Sequence, residues 1–188
     1  MLTGYKAIVI GGSAGSFPVV MKILNNIPKN INMPVIFCLH RLKHVRHGIV
    51  EALSTKSAIP VIEPNDKDQV KNGIAYIAPA NYHLLIEPSG AFALSTDDMI
   101  KYSRPSIDLT FETASYTYRD KLIAIILSGA NSDGANGIRI AKNRGALTIV
   151  QHPDEATIKM MPEAALKATP IDKSLISDEI VNLLKTIQ

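Results

Sequence analysis

The fold is decided near the start of the chain, where residues 6–16 read KAIVIGGSAGS. The apolar run at residues 7–10 is typical of a buried strand, and the small residues that follow it predict a sharp turn. After the turn, apolar side chains recur with the 3.6-residue period of a helix that packs on a sheet, at Phe17, Val19, Val20, Ile23, Leu24 and Ile27. The stretch therefore predicts the strand, turn and helix that open an α/β sheet.

The same alternation of strands and helices continues along the chain. Strands are predicted over residues 6–10, 34–40, 60–62, 122–127 and 147–151, and helices over 48–57, 106–119, 132–144 and 174–187. Three short runs at 74–78, 83–86 and 91–94 indicate antiparallel hairpins. We therefore expect one domain over residues 1–188, with a mainly parallel, doubly wound sheet, helices on both faces and an inserted antiparallel hairpin region.

Composition favours a soluble globular protein and excludes several other classes. The 188 residues are 46% hydrophobic and 20% charged, with a single cysteine, Cys38. One cysteine excludes an internal disulfide, and we expect Cys38 to be a buried strand residue. Because no apolar run approaches the roughly 18 residues of a membrane helix, we expect a cytoplasmic protein without membrane insertion.

Charge is distributed unevenly along the chain. Residues 1–50 hold six Lys and Arg residues and no Asp or Glu, although the net charge of the whole chain is only +3. A basic segment of this kind suits an anionic partner, and we expect Arg41, Lys43 and Arg46 to steer one toward the site. A nucleic-acid partner is not expected, because the net charge is modest and no aromatic platform accompanies the basic residues.

The turn after the first strand has the form G-x-S-x-G at residues 11–15. Between a strand and a helix, this pattern lifts a serine hydroxyl out of the sheet, so Ser13 is a candidate nucleophile. The amide of Ala14 would then point to the position where an oxyanion forms. A dinucleotide loop is the main alternative, but Ile10 stands where its first glycine is required and no acidic residue precedes Glu51. The pattern favours a nucleophile, and we expect no cofactor.

A nucleophilic serine needs a base and a carboxylate behind that base. His40 ends the strand expected beside the serine strand, so its imidazole can reach the turn. Asp133 lies in a second glycine-rich turn, at residues 128–137, where it can also cap the helix that follows. His83 and His152 lie at other strand or turn boundaries and stay open as alternatives. No metal site is expected, because position 41 lacks the glutamate of the H-E-x-x-H zinc motif.

Taken in order, these residues resemble the CheB family of chemotaxis methylesterases along almost the whole chain. The blocks that carry the resemblance are residues 10–15, 39–40, 76–79 with His83, 104–108, 128–129 with 133–137, and 151–165. The family removes methyl groups from glutamate methyl esters on bacterial chemoreceptors and deamidates receptor glutamines. The resemblance implies that Ser13 is the nucleophile, His40 the general base and then acid, and Asp133 the carboxylate that orients the imidazole. It also implies that the substrate is a methylated cytoplasmic helix of a receptor.

Further residues are expected to form the oxyanion hole or to contact the substrate, namely Ala14, Gly15, Ala130, Arg104 and His83. The chain departs from the family at three places in the wall of the site. Residues 13–16 read SAGS where the family has STGG, residues 128–131 read SGAN where it has TGMG, and residues 40–42 read HRL where it has HMP. The triad residues themselves are unchanged.

Regulated members of the family carry an N-terminal receiver domain, whereas this sequence opens directly in the methylesterase-type unit. We therefore expect no receiver domain on this chain. Two alternatives stay open beside the methylesterase hypothesis. One is a non-catalytic interaction module with a degenerate oxyanion hole, and the other is a hydrolase that uses the same triad on a different small ester or amide.

Overall fold

A computed structural model describes residues 4–40 and 48–186 of the chain. The strands are β1 (Ala7–Gly12), β2 (Val35–Leu39), β3 (Val61–Ile62), β4 (Ala75–Ile77), β5 (His83–Ile86), β6 (Phe92–Ser95), β7 (Leu122–Ile126), β8 (Leu147–Gln151) and β9 (Lys173–Leu175). The α-helices are α1 (Phe17–Asn26), α2 (Ile49–Ser54), α3 (Ile107–Tyr118), α4 (Ala135–Asn143), α5 (Met160–Ala168) and α6 (Ser177–Lys185). A single 3₁₀ turn over Arg119–Lys121 joins α3 to β7.

Seven strands form one parallel sheet in the order β3-β4-β2-β1-β7-β8-β9. The central strand β1 is buried over its whole length, as its apolar sequence predicts. Its last residue, Gly12, lies opposite Leu39 at the end of β2, and Gly11 lies opposite Ile126 at the end of β7. The three central strands therefore end together, and the residues that follow them meet at one edge of the sheet.

Helices cover both faces of the sheet, which confirms the doubly wound α/β prediction. On one face, Leu24 of α1 and Leu184 of α6 belong to the same buried apolar cluster. On the other face, Phe111 of α3, Ile138 of α4 and Met161 of α5 belong to a second cluster. Within the described residues, no helix combines the length and the apolar character that a membrane crossing requires.

Three details of the sequence prediction are corrected. Strand β4 pairs in parallel with β2 and β3, so it belongs to the main sheet, and the antiparallel hairpin consists of β5 and β6 alone. Residues 174 and 175, predicted to begin the last helix, belong with Lys173 to the edge strand β9 beside β8, and α6 begins only at Ser177. Helix α5 was not predicted, because it has only 9 residues and carries Pro162 in its first turn.

A glycine brings α3 and α4 into close contact beside the carboxyl ends of the central strands. A Cβ atom on Gly137 would lie 2.6 Å from the carbonyl oxygen of Asp108, so only glycine permits this approach. The Asp108 carboxylate also accepts a hydrogen bond from the Gly137 amide at 2.7 Å. The two helices therefore fix the position of the loop between β7 and α4, which carries Asp133.

Candidate active site

Ser13 is the first residue beyond β1, in a turn that its neighbours hold tightly. Its amide donates to the carbonyl of Ser128 at 2.9 Å, and its own carbonyl accepts from the amide and the hydroxyl of Ser16 at 3.0 and 2.7 Å. The hydroxyl of Ser128 also donates to the carbonyl of Ala14 at 2.8 Å. The loop after β7 therefore fixes the turn that presents Ser13.

The turn requires glycine at position 15. Gly15 has a φ of +83°, a left-handed conformation that residues with a Cβ rarely adopt. A Cβ there would also lie 2.6 Å from Cβ of Thr157 and 2.7 Å from Oγ of Ser128. The loops that carry Thr157 and Ser128 thus approach the turn so closely that the G-x-S-x-G pattern requires small residues.

The polar groups at the tip of the turn are open to a ligand. In the described part of the chain, neither the Ser13 hydroxyl nor the amides of Ala14 and Gly15 make a hydrogen bond. Ala14 is exposed, and Ser13 is partly exposed. Unpaired N–H groups beside a free hydroxyl are what an oxyanion hole next to a nucleophile requires.

His40 follows β2 directly and lies beside this turn. Its amide donates to the carbonyl of Gly12 at 3.1 Å, which continues the pairing of β2 with β1 by one residue. The side chain is 12% exposed, and its Nε2 lies 2.8 Å from Oδ2 of Asp133. The structure therefore brings His40 and Asp133 into direct contact, as the sequence predicts.

Asp133 has no exposed surface, and its carboxylate is surrounded by hydrogen-bond donors. Besides His40, it accepts from the Ser106 hydroxyl at 3.1 Å and from the amides of Ile107 at 2.7 Å and Asp108 at 3.1 Å. The amide of the next residue, Gly134, donates to it at 3.0 Å. Asp133 therefore caps the first turn of α3. The cap predicted on α4 is wrong, since Gly134 is the N-cap of α4.

The hydrogen bonds determine the charge of this buried carboxyl group. Burial alone would raise the pKa of Asp133, but the hydrogen bonds from His40 and from the amides of Ile107 and Asp108 outweigh that effect and hold the pKa below its ordinary value. Asp133 is thus a carboxylate at neutral pH. Since a carboxylate can only accept, the nitrogen that faces it, Nε2 of a neutral His40, carries the proton and Nδ1 carries the lone pair.

The lone pair on Nδ1 faces a residue that the sequence did not identify as part of the site. Ser103 Oγ lies 3.3 Å from Nδ1 of His40, and the side-chain amide of Asn131 donates to Ser103 Oγ at 3.2 Å. The Ser13 turn is adjacent, but its hydroxyl is not bonded to the imidazole. Ser103 lies three residues before Ser106, which is the N-cap residue of α3.

His83 and Arg104 both make hydrogen bonds within the fold, and the substrate contact expected of them stays a prediction. His83 is fully buried; its Nδ1 accepts from the amide of Ser106 and its Nε2 lies 3.1 Å from the carbonyl of Asp98. The guanidinium of Arg104 donates to the carbonyls of Thr96 and Asp97 and to the Asn81 side chain. Both side chains therefore tie the hairpin region to the start of α3.

The remaining predicted residues fall into three groups. Ala130 is exposed in the loop that also carries Asn131 and Asp133. The imidazole of His152 is exposed beyond β8, 3.8 Å from the carboxylate of Asp154. Arg41, Lys43 and Arg46 lie outside the described residues.

No group of three or more His, Cys, Asp or Glu side chains in the described ranges is arranged to hold a metal ion. Cys38 is buried in β2, as expected.

Comparisons with known proteins agree with this geometry. A family profile for CheB methylesterase matches residues 8–184. A Leptospira interrogans relative named for methylesterase and glutaminase activities is 42% identical over 179 residues, covering 95% of this chain and 93% of its own length. A protein-glutamate methylesterase/protein-glutamine glutaminase of Methanococcus maripaludis is 34% identical over an alignment of 189 positions, which covers 96% of this chain and 52% of that protein.

The fold also matches a solved structure. The crystal structure of the Thermotoga maritima CheB methylesterase catalytic domain superposes with a TM-score of 0.91 at 30% sequence identity, and the match covers 97% of this chain and 98% of that domain. The profile match spans the positions of Ser13, His40 and Asp133. The chain therefore belongs to the CheB methylesterase family.

Proposed function

We propose that this chain is a serine esterase that removes methyl groups from glutamate methyl esters of chemoreceptors and deamidates receptor glutamines. Its relatives are named for both activities, which supports the proposal. The observation that supports the chemistry most strongly is the His40–Asp133 pair, in which a fully buried carboxylate holds Nε2 at 2.8 Å beside the turn of a free serine hydroxyl.

Acylation begins with Ser13. Its Oγ attacks the ester carbonyl while its proton passes to Nδ1 of His40, the nitrogen that Asp133 leaves available. The assignment is the reverse of the chymotrypsin arrangement, in which the carboxylate holds Nδ1 and Nε2 is the base. The amides of Ala14 and Gly15 receive the negative charge of the tetrahedral oxygen, because neither has an acceptor of its own within the described structure.

The same nitrogen then serves as an acid. The imidazolium gives the Nδ1 proton to the departing methoxide, which leaves as methanol, or to the amine of a glutamine substrate, which leaves as ammonia. Water next gives a proton to Nδ1 and attacks the glutamyl ester of Ser13. Collapse of this second intermediate returns the proton to Ser13 and releases glutamate. Asp133 stays ionised throughout and stabilises the imidazolium.

An acidic receptor helix is the proposed substrate, and a basic groove beside the site supports this. The groove, about 510 Å³ in volume, lies between α4 and α5 and is lined by Lys101, Arg139 and Lys167 among others. It adjoins the loop that carries Asp133. Arg41, Lys43 and Arg46 would add positive charge that attracts the same acidic helix. Because the proposed substrate lies on the cytoplasmic helices of a receptor, we propose that the enzyme acts in the cytoplasm.

Receptor fragments that carry either glutamate methyl esters or glutamines at the modified positions test the substrate assignment. Purified protein is mixed with a cytoplasmic receptor fragment that carries glutamate methyl esters, and methanol release is measured; ammonia release is measured with the glutamine form. Hydrolysis of both supports the proposal. Hydrolysis of small methyl esters but not of the receptor would favour a different esterase, and binding without any hydrolysis would favour an interaction module.

A further inference from the structure

The base nitrogen of His40 is occupied by a serine other than the proposed nucleophile. Nδ1 lies 3.3 Å from Oγ of Ser103, whereas the hydroxyl of Ser13 makes no hydrogen bond to any described residue. A neutral imidazole offers one lone pair at this nitrogen, and that lone pair accepts one proton at a time. Ser103 and Ser13 therefore compete for the same acceptor.

Ser103 is held in place by a tight turn. The amides and carbonyls of Ile100 and Ser103 bond reciprocally at 3.2 and 2.8 Å, across Lys101 and Tyr102. Both central residues are left-handed, with φ of 48° and 61°, a conformation that only a well-supported turn imposes on residues other than glycine. The Lys101 ammonium anchors the turn by donating to the Asp108 carboxylate at 2.9 Å and to the carbonyl of Ser132 at 2.8 Å.

Asn131 determines the direction of the hydrogen bond on Ser103. The Asn131 Oδ1 accepts from the amide of Asp133 at 3.0 Å, so its Nδ2 is the group that donates to Ser103 Oγ. With that lone pair used, the Ser103 proton has two acceptors in reach: Nδ1 of His40, and the carbonyl of Lys101 at 3.4 Å. The hydroxyl can therefore leave the imidazole by rotating toward a second partner that is already present.

Ser103 lacks the surroundings that a nucleophile needs. Of the three residues after Ser103, only Arg104 has an amide without a hydrogen bond in the described structure, because Pro105 has no N–H and the amide of Ser106 is bonded to Nδ1 of His83 at 3.1 Å. Ser13, in contrast, is followed by the two unpaired amides of its turn. A negative charge that developed next to Ser103 would thus find no comparable pair of donors.

We propose that Ser103 is a positioning residue that occupies the base nitrogen of His40 in the resting enzyme and releases it when Ser13 attacks. The inference rests on the proposed function, in which Ser13 is the nucleophile and His40 the base. On release, the Ser103 proton turns to the carbonyl of Lys101 and stays on its own oxygen, while the Ser13 proton moves to Nδ1. The resting bond also stabilises the neutral imidazole, because it donates to the lone pair.

The rate of labelling by a serine-directed fluorophosphonate tests this arrangement. Loss of a competing hydrogen bond in Ser103→Ala should speed labelling roughly threefold to tenfold. It should also move the acid limb of the pH–rate profile to higher pH, because the neutral imidazole loses a donor. A purely structural role for Ser103 would not shift that limb upward while increasing the rate.

Two further variants of Ser103 and one matched control sharpen the comparison. Ser103→Thr keeps the hydroxyl and should behave as the wild type, while Ser103→Cys keeps the size with a weaker donor and should fall between wild type and Ser103→Ala. Ser174→Ala removes an exposed hydroxyl on the edge strand β9 and should change neither rate nor pH profile. Equal or slower labelling of Ser103→Ala, or an unmoved acid limb, would overturn the proposal.

Peptide mapping separates failure of this inference from failure of the proposed function. Trypsin digestion yields a peptide of residues 7–22 that contains Ser13 and a peptide of residues 102–119 that contains Ser103, because the bond between Arg104 and Pro105 resists cleavage. An adduct on residues 7–22 that Ser13→Ala abolishes supports the nucleophile. An adduct on residues 102–119 would overturn both proposals, and equal labelling of wild type and Ser13→Ala would reject the proposed function by itself.

Discussion

Asp133 accepts a hydrogen bond from the backbone amide of Ile107 at 2.7 Å, so the carboxylate that holds His40 also binds the first turn of α3. This double role joins the chemistry of the site to the stability of the fold. A change at Asp133 must disturb the imidazole and leave buried N–H groups unpaired at the same time.

We expect Asp133→Asn to lose both activity and stability. The substituted amide presents an NH₂ group toward donors, so it cannot serve all of the N–H groups that the carboxylate accepts, and it no longer fixes the His40 tautomer. Methanol release should fall about 10³- to 10⁴-fold. The free energy of unfolding in urea should fall by about 2–4 kcal/mol. Asp154→Asn, at a side chain that is 90% exposed, is the control and should change neither quantity appreciably.

The stability contribution of Asp133 should depend on pH. Its pKa is lower in the folded protein than in the unfolded chain, because hydrogen bonds from His40 and two amides outweigh the effect of burial. The stabilisation is therefore complete above the unfolded-state pKa of about 3.9 and is lost as the pH falls through the lower, folded-state value. The difference in unfolding free energy between wild type and Asp133→Asn should therefore narrow as the pH falls below about 4. A difference that stays constant down to pH values of about 2 would contradict this prediction.

We expect Gly15→Ala to damage the nucleophile turn. The new Cβ would lie within 2.7 Å of both Thr157 and Ser128, at a φ of +83°. Stability should fall by about 2–3 kcal/mol, and methanol release should fall at least about tenfold as the turn shifts. Gly90→Ala is the matched control, because Gly90 has a φ of +79° but open space around it. That variant should lose only about 1–2 kcal/mol and keep its activity.

The basic groove between α4 and α5 should affect receptor binding more than chemistry. Reversal of charge in Arg139→Glu with Lys167→Glu should raise KM for the receptor fragment several-fold at low salt and less at high salt, because salt screens exposed charges. Hydrolysis of a small methyl ester should not change. Lys29→Glu reverses an exposed charge between α1 and β2, at the opposite end of the strands, and should leave KM unaltered. An equal rise in KM at both salt concentrations would argue against electrostatic docking.

Much of the fold follows from local apolar patterns. The central strands are continuous apolar runs, and α1 shows the expected period, although Phe17 at its start is 42% exposed beside the Ser13 turn. Elements without such a pattern were missed or misassigned. Strand β9 has the exposed residues Lys173 and Ser174 on an edge, and β4 has only three residues, so their partners depend on the rest of the sheet.

The pair formed by His40 and Asp133 follows from topology, since both residues lie beyond strands that flank β1. The other features of the site depend on tertiary contacts that no spacing in the sequence reveals. Ser103 reaches the imidazole through a turn held by Lys101, and Asp133 caps a helix that begins 26 residues earlier in the chain. The burial of His83 likewise depends on how the hairpin packs on α3.

Methanol release from the methylated receptor fragment by wild type, Ser13→Ala and Ser174→Ala tests the central claim most directly. The account predicts steady release by wild type and Ser174→Ala, and a rate about 10³- to 10⁶-fold lower for Ser13→Ala, since the covalent route then has no nucleophile. Release by Ser13→Ala at the wild-type rate would contradict the account.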